Sequence, residues 1–308
     1  VSRHAGPGPG SAPVAHGFPH LETVRAALTA LWRRLSYDTV SAFAVSVRPE
    51  DVRFPPGADV LLGAQAVARA IVRQLRLPQA RAIVAFREMA QAGAVEAGAG
   101  PEYFVELNAR FKEDRRDIGA CLAHEVAHLY LGRLGLSFPG TRDNEVLTDT
   151  TAAYLGAGWP LLDAYREDDD RATKLGFLTP EEFGYVLAKR AMAFGDDAGA
   201  WLTGAQAREA YRAGWARARD DWRRPPLAGA GWASRRRYAA DRRWAALQVV
   251  AEDGLPPVRL AGGYAFHAGE PLRVSFPCPT CWQRIRVPVR GRLTARCGLC
   301  RSELECDA

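Results

Sequence analysis

His124-Glu125-Val126-Ala127-His128, followed by Asn144-Glu145-Val146-Leu147-Thr148-Asp149, is the stretch whose reading decides this chain. A helix turns once per 3.6 residues, so His124 and His128 leave the same face one turn apart and can reach a single ion. Glu125 stands beside them, near the ion without being one of its ligands. Two imidazoles on a metal, with a carboxylate placed to take a proton from the metal's water, are what a zinc hydrolase needs. The other histidines compete poorly for a third position. His4, His16 and His20 fall in a Gly/Pro-rich segment, and His267 is far downstream beside a cysteine cluster. A carboxylate is therefore the expected third ligand. Glu145 and Asp149 lie four residues apart on one face of a helix that Asp143 is placed to cap.

With these two motifs the chain resembles the gluzincins, the thermolysin-like zinc peptidases, whose second motif is Asn-Glu-x-x-x-Asp. The short gap between the motifs is more similar to the compact minigluzincins than to thermolysin itself. The metzincin pattern fails, because Leu131 and Leu134 stand where its glycine and third histidine belong. The resemblance covers about the first two thirds of the chain. It implies zinc held by His124, His128 and Glu145, with Asp149 accepting the free ring N–H of His124 and Glu125 acting as general base. The apolar positions Ile118, Cys121, Leu122, Val126 and Leu129 suit a half-buried helix carrying the site. Residues 102–108 alternate as a strand just before it. In gluzincin-like folds that strand is the sheet edge along which an extended peptide lies; an ordinary internal strand is the alternative.

The six cysteines divide unevenly. Cys278-Pro-Thr-Cys281 and Cys297-Gly-Leu-Cys300 have the spacing of a zinc ribbon, in which two tight turns present four thiolates to one tetrahedral ion. Between the pairs Ile285, Val287 and Val289 alternate as in a strand, and Arg290-Gly291 offers a return turn. Cys121 and Cys306 are read as spectators. Two disulfides would need an exported protein, and no secretion leader precedes the fold.

With 308 residues and 48% hydrophobic content the chain can bury a full core in more than one domain. It has no apolar run long enough for a membrane span, so a cytoplasmic protein is expected. The net charge of +6, carried mostly by arginine, is weak evidence for nucleic acid. The fold class expected is α+β: a disordered tail over 1–20, a zincin-like domain over 21–198 with a small sheet, an active-site helix and a helical subdomain, an Arg/Trp-rich helical segment over 199–256, and a small β ribbon over 257–308. Helix is expected over 21–35, and strand over 40–47 and 81–86. Thr179-Pro180-Glu181-Glu182 is a capping box that opens a helix running to about 194. Tyr185 on that helix is a candidate to stabilise an oxyanion, with plain packing as the alternative. Tyr211, Trp215, Ala218 and Trp222 recur at helical spacing; a second helix carries Trp232, Arg235-Arg236-Arg237, Arg242-Arg243 and Trp244, and Pro225-Pro226 and Pro256-Pro257 bracket it.

The activity expected is zinc-dependent hydrolysis of a peptide bond in a peptide or protein substrate, with the ribbon docking substrate or a protein partner. Two other classes stay open. One is a nucleic-acid-associated regulatory protease or binding protein using the ribbon and the arginine-rich helices. The other is a hydrolase acting on one small amide.

Overall fold

The computed structural model describes residues 3–5, 14–54, 57–77, 81–96, 101–168, 172–249, 258–259 and 262–308, in two compact units, Val1–Trp215 and Ala216–Ala308. The first unit begins with strand β1 (Arg3–Ala5), inside the stretch expected to be disordered. Residues 14–20 are also tied down: His16 Nδ1 lies 2.9 Å from Glu181 Oε1, and the Gly17 amide donates to Glu181 Oε2 at 3.1 Å. Helix α1 (Leu21–Ser41) buries the expected stripe of Val24, Leu28, Leu31 and Trp32. It outruns its expected end at residue 35, kinking at Ser36 (φ 63). The strand expected over 40–47 is absent. The buried apolar residues there are Val40, Phe43 and Val47, at three- and four-residue spacing, while Val45 is 57% exposed. That periodicity belongs to a helix and the turns leaving it.

Helices α2 (Pro49–Val52) and α3 (Val60–Gln74) follow, the second capped by Asp59, whose side chain accepts from the Leu62 amide. Strands β2 (Arg81–Arg87), β3 (Gly93–Glu96) and β4 (Glu102–Asn108) join β1 in a sheet of order β1-β3-β4-β2. β2 runs parallel to β4, and β3 antiparallel to it. β4 has the expected extent but is internal, so the edge role implied by the resemblance does not fall to it. The outer neighbour of β3 is β1, antiparallel, with Ala5 opposite Ala94.

Helix α4 (Ile118–Leu134) packs against β3, β4, α3 and α5 (Thr141–Tyr154). It is buried on every side through residues 118–131, not half-buried, because the sheet and the helices enclose it. α5 begins at Thr141 behind Gly140, which puts Asp143 inside the first turn rather than at the cap; there it accepts from Thr23 Oγ1 at 3.3 Å. After α6 (Trp159–Asp163) and the short pair β5 (Arg166–Glu167) and β6 (Ala172–Thr173), α7 (Pro180–Phe194) starts at the expected capping box, with the Thr179 hydroxyl and the Glu182 carboxylate each accepting the other's amide at 3.1 Å. Helix α8 (Ala205–Asp221) contains the boundary between units, so the helical segment expected as one piece is divided.

The second unit holds α9 (Trp232–Val249), a sheet of order β10-β9-β8-β7 and a hairpin. The sheet strands are β7 (Val258–Arg259), β8 (Ala265–His267), β9 (Arg273–Pro277) and β10 (Arg284–Pro288); the hairpin is β11 (Arg292–Arg296) with β12 (Glu303–Asp307). Arg290-Gly291 does not fold β10 back on β11. β10 pairs with β9 and β11 with β12, so the turn passes the chain from one sheet to the other. Pro256-Pro257 lies outside the described residues. No described helix is long and apolar enough to cross a membrane.

Candidate metal centres

α4 presents His124 and His128 one turn apart, and α5 presents Glu145, Thr148 and Asp149 on the facing side. The two Nε2 atoms stand 3.1 Å apart, and Glu145 Oε2 is 3.2 Å from each. All three residues are buried, at 4%, 8% and 1% exposure. The ring protons are assigned by the outer partners. His124 Nδ1 lies 2.7 Å from Asp149 Oδ1, which can only accept. His128 Nδ1 lies 3.2 Å from the Thr148 hydroxyl, whose own proton goes to the Asn144 carbonyl at 3.0 Å. Both Nδ1 atoms are therefore donors, and both Nε2 atoms turn lone pairs toward the carboxylate oxygen. Three acceptors converge with no proton to share, and Glu145 Oε2 makes no hydrogen bond. Such an arrangement suits a cation between them. Tetrahedral zinc, with bonds of about 2.0–2.1 Å to nitrogen and oxygen, separates its ligands by roughly 3.3 Å, close to the spacing found.

Electrostatics follow from that convergence. Burial works against the charged form of Glu145, but the two imidazoles of His124 and His128 beside it outweigh burial and hold its carboxyl down at about 2. Burial also disfavours a charged His124, yet Asp149 and Glu145 outweigh it and raise the imidazole well above its ordinary value. Glu125 behaves differently. Burial pushes its carboxyl up to about 8, with the nearby charges of Glu145 and Asp149 adding to the rise and His124 opposing it. Its Oε2 is buried without a hydrogen-bond partner. The predicted ligands thus come together, and the predicted base is the one unpaired carboxyl beside them.

Five supporting residues fill no fixed position of either motif. Gly93 on β3 lies against the site, where a Cβ would stand 2.7 Å from Cys121 Sγ and 2.9 Å from Glu125 Oε1. Thr148 orients His128. The loop before α7 closes on Asp149: the Phe177 and Leu178 amides donate to its Oδ2, the latter at 3.0 Å, and the Phe177 ring stacks on His124 at 6.2 Å. Gly176, at φ +80, gives the loop its turn and lies where a Cβ would meet Asp149 Oδ2 at 2.7 Å. Asn144, part of the second motif, turns away and accepts from the Phe138 amide at 3.1 Å. Tyr185 is fully buried on α7, with the Lys189 ammonium 5.6 Å from its ring centroid and Gly214 of α8 against its amide. None of these described partners belongs to the metal centre, and packing is the role they support.

The second centre is built from two copies of one turn. Cys278 leads from β9 and Cys297 from β11. Within each turn the first cysteine's carbonyl accepts the amide of the residue after the second cysteine, Trp282 at 2.9 Å and Arg301 at 3.0 Å. Each first cysteine's amide donates two residues beyond the second, to Gln283 O at 2.8 Å and Ser302 O at 3.0 Å. Trp282 and Arg301 share left-handed backbone, φ 63 and 59. The four buried sulfurs face one another, Cys278 to Cys300 and Cys281 to Cys297 both at 3.6 Å. That is far from a disulfide bond and close to the roughly 3.8 Å edge of a tetrahedral zinc tetrathiolate with 2.3 Å bonds. The thiols compete for protons: hydrogen bonds with its three neighbours, then burial, hold Cys281 protonated, while those from Cys278, Cys281 and Cys300 pull Cys297 down. Full ionisation of the set needs a cation. Cys121 and Cys306 are buried and outside both groups. His267 lies 2.8 Å from Ser275 Oγ, and His20 3.1 Å from Arg142 Nη2, so neither approaches a metal group.

The chain is therefore a mixed helix-and-sheet protein with two buried groups that could each hold a metal ion. No family model, curated protein or solved structure matches it.

Proposed function

We propose that the chain is a zinc-dependent peptidase of the minigluzincin kind, with His124, His128 and Glu145 as zinc ligands and Glu125 as general base. The observation that carries this reading is the convergence of three lone-pair donors beside a buried carboxyl without a partner. Bound there, zinc would supply an acidified water and a Lewis acid for the scissile carbonyl. Glu145, ionised down to about pH 2, offers its charge at any working pH. Asp149 and Thr148 hold the two imidazoles in the tautomer that leaves Nε2 free. Glu125 takes and returns the proton: its environment brings its proton affinity near neutrality, where one group can accept a proton and then release it to a leaving nitrogen. A dication held by His124, His128 and Glu145 would lower that affinity from the value for the protein alone.

β3 favours an extended peptide as substrate. Its Gly93 lies against Glu125, and its outer edge pairs with residues 3–5 as an antiparallel strand, so a peptide backbone could pair beside the base by taking the place of β1. The tetrathiolate centre has no ligand position left for chemistry, and we assign it a structural zinc. Six free cysteines, four of them grouped for a metal, suit a reducing compartment, and we place the protein in the cytoplasm. Glu125→Gln, with both zinc ions retained, should lower cleavage of a peptide library by about a hundredfold or more. A variant that keeps its metals and more than a few per cent of its turnover would remove Glu125 from the mechanism.

A further inference from the structure

A cavity of about 370 Å³ in the second unit is lined by Arg223, Arg224, Ser234, Arg237 and the backbone of Gly262 and Gly263. Its size is that of a small-molecule site. Among the described residues its lining includes three arginines and no carboxylate residue. Asp221 stands beside one of them, its Oδ1 3.5 Å from Arg224 Nη2. Among the described residues no carboxylate pairs with Arg223 or Arg237. Asp241 on α9 is engaged elsewhere, accepting from the Tyr264 hydroxyl at 2.6 Å. Among the described residues the lining is therefore rich in positive charge.

One of these arginines is held against an aromatic ring. Arg224 Cζ sits 5.4 Å from the centroid of the Trp282 ring. Trp282 is the left-handed residue that closes the first cysteine turn, so the metal-bearing turn holds one guanidinium of the cavity in place. Ser234 lies in the first turn of α9, whose helical bonding begins with Arg235 N to Gly231 O, so the amides before it have no acceptor within the helix. These groups add donors to the arginine forks.

We propose that this cavity binds a small molecule through a phosphate or pyrophosphate group gripped by Arg223, Arg224 and Arg237. Guanidinium forks match phosphate oxygens in pairs, and three arginines around one cavity match a phosphate dianion better than a single carboxylate. The hydrolytic reading makes no use of the site and does not bear on it.

The test is calorimetric titration of the full, zinc-loaded chain with inorganic pyrophosphate. We expect one saturable site per chain, weakened at least tenfold by the double variant Arg223→Gln/Arg237→Gln and unchanged by Arg286→Gln, an exposed arginine of β10 outside the cavity. Zinc content and thermal unfolding report whether the double variant is folded. Ser234→Glu, which keeps every arginine and adds a negative charge at the lining, should also weaken binding tenfold. No saturable binding, or equal losses in the cavity variants and Arg286→Gln, would overturn the assignment. Displacement of pyrophosphate by single-stranded oligonucleotides with affinity rising with their length would overturn it in favour of strand binding.

Discussion

The donors at α4 and α5 come from two helices and are aimed by an outer tier of side chains, whereas the four sulfurs come from two copies of one turn and are aimed chiefly by its backbone, with one side-chain bond from Cys300 Sγ to the Ser302 hydroxyl at 3.2 Å. At the first centre Asp149, Thr148 and the 176–178 loop decide which way each ring faces. At the second, the paired carbonyl and amide bonds of the turns leave the sulfurs nowhere else to point. The first has three ligands and an unpaired buried carboxyl next to them; the second has four ligands and no such neighbour. Structural zinc is closed by four protein ligands, and catalytic zinc keeps a position open. The difference in construction is why we assign them different work.

The sharpest break between the two should come from Cys278→Ser/Cys281→Ser. Structural zinc contributes on the order of 10 kcal/mol to small metal-built folds. The variant should lose one zinc equivalent and become protease-sensitive within 216–308 while the first unit keeps its metal. Loss of both metals would make the centres one cooperative system. Next, Glu145→Ala should abolish metal binding at the first centre, and Asp149→Asn should weaken it by roughly ten- to a hundredfold, the usual effect of an orienting partner. Competition with a chelator reads both, and a metal held normally by Glu145→Ala would remove that residue from the ligand set. Gly93→Ala should be the mildest, destabilising by about 1–3 kcal/mol, because the added Cβ has to displace Cys121 Sγ or Glu125. It should also reduce turnover more than metal content; unchanged turnover would mean β3 does not hold the base.

Much of both centres was legible because their spacing is local. One helical turn joins His124 to His128, another joins Glu145 to Asp149, and the tight turns are written as two short cysteine pairs. The capping box at Thr179 and the strand of residues 102–108 were legible for the same reason. What the sequence hid depends on chain segments far apart. Gly93 matters because β3 meets α4, and the Phe177 loop matters because it folds onto a helix 28 residues earlier at Asp149. The four-residue β3 starts with Gly-Ala, which carries little strand signal, so nothing local decides between the edge that the resemblance implies for β4 and the internal strand that it is. Residues 40–47 misled in the other direction: their alternation was local coincidence, and burial follows Val40, Phe43 and Val47 instead.

The most direct test of the account is zinc-edge X-ray absorption on the purified chain and on Cys278→Ser/Cys281→Ser, with metal content measured on the same samples. The account predicts two zinc ions in the parent, one surrounded by four sulfurs at about 2.3 Å and one by nitrogen and oxygen at about 2.0–2.1 Å, with only the second left in the variant. A single zinc in the parent, or sulfur in the shell of the ion that remains in the variant, would contradict it.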